Sequence, residues 1–224
     1  MRNTNEKSSF TEKFSAFVQT NRKTILIVLG VLVVILIGTI VFISVRDYLN
    51  NRAIASVEEI NLKFEDLRYY LSDEYYQDDV NAVLAEAISF AEKNSGYAGS
   101  KAWSITAAIY SERKEWSKAE ESWLNSARVG VNTYLGPIAL FNAAVAAEEQ
   151  GKLENAIELL KQCLVHNFEF PAAPRAQFNI GRIYEQLGNY TAALEAYRDV
   201  IINWSNLPVW HQLARSRMAA IEIR

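Results

Sequence analysis

One spacing, 37 residues, recurs along the C-terminal half of this chain. It relates Trp116 to Leu153 and Tyr190, Ala119 to Ala156 and Ala193, and Trp123 to Leu160 and Tyr197. Three copies of one short unit, each unable to bury its apolar face alone, point to a stack of helical hairpins in which each packs against the next. The same register aligns Ala107 with Ala144 and Gly181, and Lys114 with Gly151 and Gly188. Small residues at 107, 144 and 181 predict close approach between two antiparallel helices, with Ala119, Ala156 or Ala193 opposite. Trp123, Leu160 and Tyr197 are then expected to fill the space between adjacent units. A left-handed residue is expected at the turn, so Lys114, which has a Cβ where the other two units have glycine, predicts a reshaped first turn.

The composition departs from that of an ordinary globular chain in one block. Residues 24–45, TILIVLGVLVVILIGTIVFISV, carry no charge, and 17 of them are Ile, Leu, Val or Phe. At about 1.5 Å per residue the block spans about 30 Å of hydrocarbon, and its side chains favour the bilayer by about 5 kcal/mol or more. It reads as a transmembrane helix. A cleaved signal fits less well: its apolar run is shorter, and the nearest small-residue triplet, Ala53-Ile54-Ala55, lies beyond Arg46, Asp47 and Arg52. Arg2, Lys7, Lys13, Arg22 and Lys23 precede the block, and the Arg22-Lys23 pair abuts it. Arg46, Arg52, Lys63 and Arg68 occupy an equal stretch after the block. Charge abutting a span favours the cytoplasmic side, so the N-terminus is expected in the cytoplasm and the repeats in the periplasm or another extracytoplasmic space, as in a single-span bacterial inner-membrane protein. Residues 1–23 are short and polar with no core of their own, and are expected to form a mobile tail.

Residues 46–224 carry six more acids than bases. An acidic domain argues against nucleic acid or an anionic lipid surface as the main ligand. The single cysteine, Cys163, allows no internal disulfide and reads as a small buried side chain. His166 and His211 lack the neighbours of a zinc site, and no phosphate loop or nucleophile motif is present, so no cofactor or metal is expected and the chain does not read as an enzyme. The acid pairs Glu58-Glu59, Glu120-Glu121 and Glu148-Glu149 are adjacent on helices, point apart, and are expected to be solvated.

The segment PRAQFNIGRIYEQLGNYTAALEAYRDVIINWS, residues 174–205, places Ile180-Gly181, Tyr184, Ala193 and Tyr197 at the positions of the W-x2-L-G-x2-Y and A-x3-F tetratricopeptide signature. The chain therefore resembles the tetratricopeptide repeat superfamily. With the single N-terminal transmembrane helix read above, the resemblance implies an all-α fold whose remainder is an α-solenoid of antiparallel helix pairs with capping helices. The expected divisions are a tail at 1–23, the span at 24–45, a membrane-proximal hairpin at 46–99, repeats at about 100–136, 137–173 and 174–206, and a capping helix at 207–224. In the hairpin, Ala53, Val57, Ile60, Phe64, Leu67 and Leu71 form one apolar stripe, which serves either a cap on the stack or a short parallel coiled coil. At the other end, Val209, Trp210, Leu213, Met218 and Ile221 are expected to face the stack while polar residues face water.

In this superfamily the first helix of each pair lines a concave groove that takes peptides. Carried onto this register, the candidate groove residues are Lys101, Ser104, Phe141, Asn142, Val145, Arg175, Phe178, Asn179 and Arg182. Phe141 and Phe178 would hold apolar side chains, unless they pack between neighbouring helices. Asn142 and Asn179 would bond a peptide backbone, and Arg175 or Arg182 a carboxylate. Of a five-residue carboxylate clamp known in some superfamily members, Asn142 matches and Arg175 substitutes for Lys, while Ser104, Ala108 and Asn179 depart. The overall layout resembles YfgM-type ancillary subunits of the bacterial SecYEG translocon, which implies partners among translocon components and chaperones of exported proteins. The alternative is an assembly protein whose repeats mediate homo-oligomerisation or hold a cell-envelope complex.

Overall fold

The computed structural model describes residues 4–166 and 170–223, with side-chain placement described from residue 12 and not for His166. Arg2 and the other residues of 1–3, residues 167–169 and residue 224 lie outside the described residues. Nine α-helices account for nearly everything described, and no strand occurs among those residues. The chain divides into two compact units, residues 1–52 and 53–224.

The first unit is helical from its first described residue. Helix α1 runs Thr4–Leu67 and takes in the polar stretch after Thr4. No glycine or proline occurs before Gly30, and nothing in the sequence breaks the helix there. From Leu26 to Val45 every Leu, Ile, Val and Phe is 50% to 69% exposed. Protein covers none of this band. Among the described residues, α1 is the one helix long and apolar enough to cross a membrane.

The second unit holds the last turns of α1, two 3₁₀ turns at Arg68–Tyr70 and Glu74–Tyr76, and helices α2 (Gln77–Ala91), α3 (Gly96–Glu112), α4 (Trp116–Val129), α5 (Leu135–Glu149), α6 (Leu153–His166), α7 (Ala173–Gln186), α8 (Tyr190–Asn203) and α9 (Pro208–Glu222). Pairs α3/α4, α5/α6 and α7/α8 carry the three copies of the repeat. Ala107, Ala144, Gly181, Ala119, Ala156 and Ala193 are all buried. A Cβ on Gly181 would lie 2.7 Å from the Tyr197 ring, which is why glycine stands there. Tyr197 thus fills space inside its own pair, and Trp123 donates its indole N–H to Ser111 of its own pair at 3.4 Å. These two bulky residues therefore do not serve only as spacers between units, as the spacing alone suggests.

The three turns inside the pairs are the same turn. Glu115 N–H donates to Tyr110 O at 2.9 Å, Lys152 N–H to Ala147 O at 3.0 Å, and Asn189 N–H to Tyr184 O at 2.9 Å. This six-to-one bond requires a left-handed residue before the donor, supplied by Gly151 (φ 74°), Gly188 (φ 75°) and Lys114 (φ 58°). The first turn is not reshaped. Lys114 adopts the glycine conformation, because the packing of α3 on α4 fixes the turn on both sides.

The apolar stripe on α1 is consumed within the chain. Val57, Ile60, Phe64 and Leu71 are at most 8% exposed and pack with residues of α2 and α3. Lys63 ties the hairpin from outside, donating to Glu86 at 3.0 Å. At the far end α9 covers Tyr197 and Val200 with Ala214, Ile221, Trp210 and Met218. Val209 (67%) and Leu213 (43%) do not join that contact. Their positions flank the buried face of α9, so this helix shows water apolar as well as polar side chains.

Candidate peptide-binding cleft

The clearest concavity along the first helices of the pairs is a cleft of about 540 Å³. Its floor comes from α3 (Ala108, Ser111, Glu112) and α5 (Asn142, Val145, Ala146), its walls from Trp116 and Trp123 of α4 and from Phe64 and Leu71. The rim carries a Glu65–Arg68 ion pair at 3.2 Å. Glu112 accepts a hydrogen bond from Ser72 at 3.4 Å. The lining therefore combines aromatic and aliphatic surface with one amide and a few rim charges, a composition suited to an apolar side chain and a stretch of peptide backbone.

The register explains why the cleft opens here. Ser111 and Val145 are replaced, one repeat on, by Glu148 and Arg182. Those two close on each other in a bidentate pair, with N···O distances of 2.6 and 2.5 Å. The charge–charge hydrogen bond holds the Arg182 guanidinium above its ordinary pKa, partly offset by burial. The rung repeats once more as Arg217 on Glu185, which also accepts from the Tyr197 hydroxyl. Burial first, then that hydrogen bond, raises the Tyr197 pKa. Where Ser and Val stand instead, no long side chains bridge the first helices, and space remains.

Nine residues were expected to line one groove, and the structure distributes them. Asn142 and Val145 line the cleft. Phe141 is 7% exposed, in the central core, with its ring 6.3 Å from Phe170. Arg175 stacks over the Phe141 ring at 5.2 Å. Phe178 is half-buried between Tyr197 (5.2 Å) and Trp210 (5.9 Å). Arg182 meets a carboxylate, but it is Glu148 of its own chain. Ser104 bonds Ser126 and the Ser100 carbonyl inside the α3–α4 contact. Lys101 and Asn179 are half-buried on α3 and α7, outside the cleft. Reasoning from the repeat misses Trp116, Trp123 and Phe64. The spacing of seven between the two tryptophans, which puts both on one face of α4, is the signal that pointed there.

The acid pairs also differ from expectation. Glu120 is 8% exposed and accepts from Gln150 at 2.7 Å, Lys152 at 2.8 Å and Asn155 at 2.8 Å, tying α4 to the α5–α6 turn. Glu58 accepts from the Tyr97 hydroxyl at 2.8 Å. One member of each pair is thus structural, and the exposed Glu121 and Glu149 are the solvated ones. Cys163 is fully buried, and burial pushes its thiol up to about 12. Among the described residues no group of His, Cys, Asp and Glu could hold a metal ion.

The tetratricopeptide repeat family model matches residues 107–166 and 141–208. A TPR repeat-containing protein of Treponema pallidum (strain Nichols) is 35% identical over 147 residues, which are 64% of this chain and 60% of that protein. The chain thus spans about 60% of that relative. Among solved structures, nearly identical TPR-like repeats from Podosopora anserina superpose with a TM-score of 0.58 at 16% identity, covering 74% of this chain and 86% of that one. A tetratricopeptide repeat protein from Parabacteroides merdae gives 0.51 at 17% identity, covering 72% and 60%. At those identities the likeness is one of fold. The tetratricopeptide match thus falls on the stacked helix pairs within residues 107–208.

Proposed function

We propose that the chain is a membrane-anchored, non-enzymatic scaffold whose repeat stack binds protein segments on the extracytoplasmic side. The cleft carries this reading: it stands where the ladder of ion pairs is interrupted, and it offers Trp116, Trp123 and Val145 beside the Asn142 amide. Repeats of this type generally mediate protein–protein interaction, and the exposed apolar band of α1 supports the anchor. The Arg22-Lys23 pair supports a cytoplasmic N-terminus. A tether raises the local concentration of the stack near membrane partners without adding any contact. With the YfgM-like layout, the clients proposed are exported proteins leaving a translocon or its chaperones.

A photoreactive residue at Val145 of the full-length chain tests the reading. Adducts with other proteins are expected, and they should be lost when Trp123 is replaced by Ala in the same chain. Val145 adducts confined to the chain itself would remove the groove from the proposal.

A second reading, that the repeats assemble with copies of themselves, is favoured by the exposed Val209 and Leu213 on α9. Sedimentation of a fragment beginning at residue 46 separates the two. A dimer dispersed by Leu213→Asp supports assembly, and a monomer argues against it.

A further inference from the structure

The turn between α1 and α2 presents the most exposed aromatic side chains of the second unit. Tyr69 is 90% exposed and Tyr75 85%, with Tyr70 beside them at 41%. Large aromatic rings so far out of a core mark a surface made for contact. They are not on a loose loop. Tyr76 packs against the core formed by Ile60, Phe64 and Val80, and holds the Tyr70 ring at 4.4 Å and the Tyr75 ring at 5.0 Å. Asp73 accepts from Tyr75 N–H at 2.9 Å. The Gln77 amide donates to Leu71 O and Asp73 O, and its own oxygen accepts from Arg113, which caps the end of α3, at 2.8 Å. The Tyr70 and Tyr75 rings, fixed in advance, lose little entropy on binding, and Tyr69 stands exposed beside them.

The charge within the turn is mostly acidic, although Arg113 reaches it from the end of α3. Residues 65–79 contain six acids, Glu65, Asp66, Asp73, Glu74, Asp78 and Asp79, and one base, Arg68, which is paired with Glu65. All six acids are exposed. A tyrosine face is itself electronegative, so rings and carboxylates attract the same ligand: a guanidinium or ammonium group on an apolar stem. The chain makes this contact internally, with the Lys118 ammonium 5.2 Å from the Tyr110 ring centroid. From these observations the geometry points to the α1–α2 turn as a docking surface for a basic protein segment, with arginine or lysine stacked on Tyr69 and Tyr75 inside an acidic rim. This surface adjoins the cleft, sharing Glu65 and Arg68 with its rim, but Tyr69 and Tyr75 do not line the cleft, and the test does not depend on the cleft being occupied.

The test is fluorescence anisotropy with the full chain in zwitterionic micelles. The probe is a labelled peptide of alternating arginine, leucine and glycine, against the same peptide with glutamate for every arginine. The arginine peptide should bind and weaken as salt is raised, and the glutamate peptide should not. Tyr69→Ala with Tyr75→Ala should weaken binding about tenfold. Tyr69→Phe with Tyr75→Phe should retain it, because the ring face rather than the hydroxyl makes the contact. Asp78→Asn with Asp79→Asn should flatten the salt dependence. Equal binding of both peptides, or no loss in the double alanine variant, would overturn the assignment. So would self-association of the chain that the double alanine variant abolishes while the arginine peptide fails to bind, since the turn would then serve a second copy.

Discussion

Lys114 shows how a side chain is held against its own preference. Its φ of 58° is the left-handed conformation that Gly151 and Gly188 take at the equivalent turns. Replacing it with glycine relieves the Cβ clash and gives back part of the gain as chain entropy in the unfolded state, so Lys114→Gly should stabilise by about 0.5–1 kcal/mol. Denaturation of the full chain in micelles measures this as a raised midpoint. The spacing identified the position and its steric cost, but not that the turn would survive, because survival depends on packing that a single sequence does not display. Cys163 makes the second prediction. Its ordinary value is 9.0 and burial moves it to about 12, so the folded thiol stays neutral where the unfolded one ionises. Its contribution is complete below pH 9 and falls by up to about 1.4 kcal/mol per pH unit above that, until the folded thiol itself ionises near pH 12. Cys163→Ala should show a shallower alkaline loss of stability than the native chain. Equal slopes would mean the thiol is not the group responsible.

Helices in this stack are joined by two kinds of contact, and the sequence displays them unequally. The small-on-bulky pattern within pairs was legible from the repeat, because steric fit forces the same residue classes into every copy. The polar ties were not legible. Glu120 and Glu121 are the same residue type side by side, and only the tertiary fold decides that the first meets Gln150, Lys152 and Asn155 while the second meets water. The nine groove candidates divide on the same ground: Asn142 and Val145 reach open space, while Arg182 finds Glu148 in the last turn of α5. Glu120→Ala should therefore cost about 1–3 kcal/mol, since it leaves buried donors without an acceptor, although Lys152 can turn to solvent. Glu121→Ala should stay within about 0.5 kcal/mol of the native chain. Thermal melts of the two variants side by side test this, and equal effects would place Glu120 on a solvated face after all.

At the scale of the molecule, the two units differ in what covers their apolar residues. The second carries its own clusters, from the α1–α2–α3 core through the central repeats to the α8–α9 contact, so its helices need nothing from residues 1–52 to bury their inner faces. The first buries almost nothing, and its band from Leu26 to Val45 lies bare. Exposed to water, that band would oppose solubility on the scale of the bilayer preference, about 5 kcal/mol or more, which no surface charge within it offsets. Two outcomes follow from the proposed anchor. The full chain should stay with the membrane through alkaline carbonate and leave it only in detergent. The fragment beginning at residue 46 should be soluble, helical by circular dichroism, and melt as the full chain does, because the band contributes no side chain to the core of the repeats. Release of the full chain by carbonate would sink the anchor and leave the repeats as they are. A fragment that aggregates or loses its helix content would show that the repeats need more than their own clusters to stand.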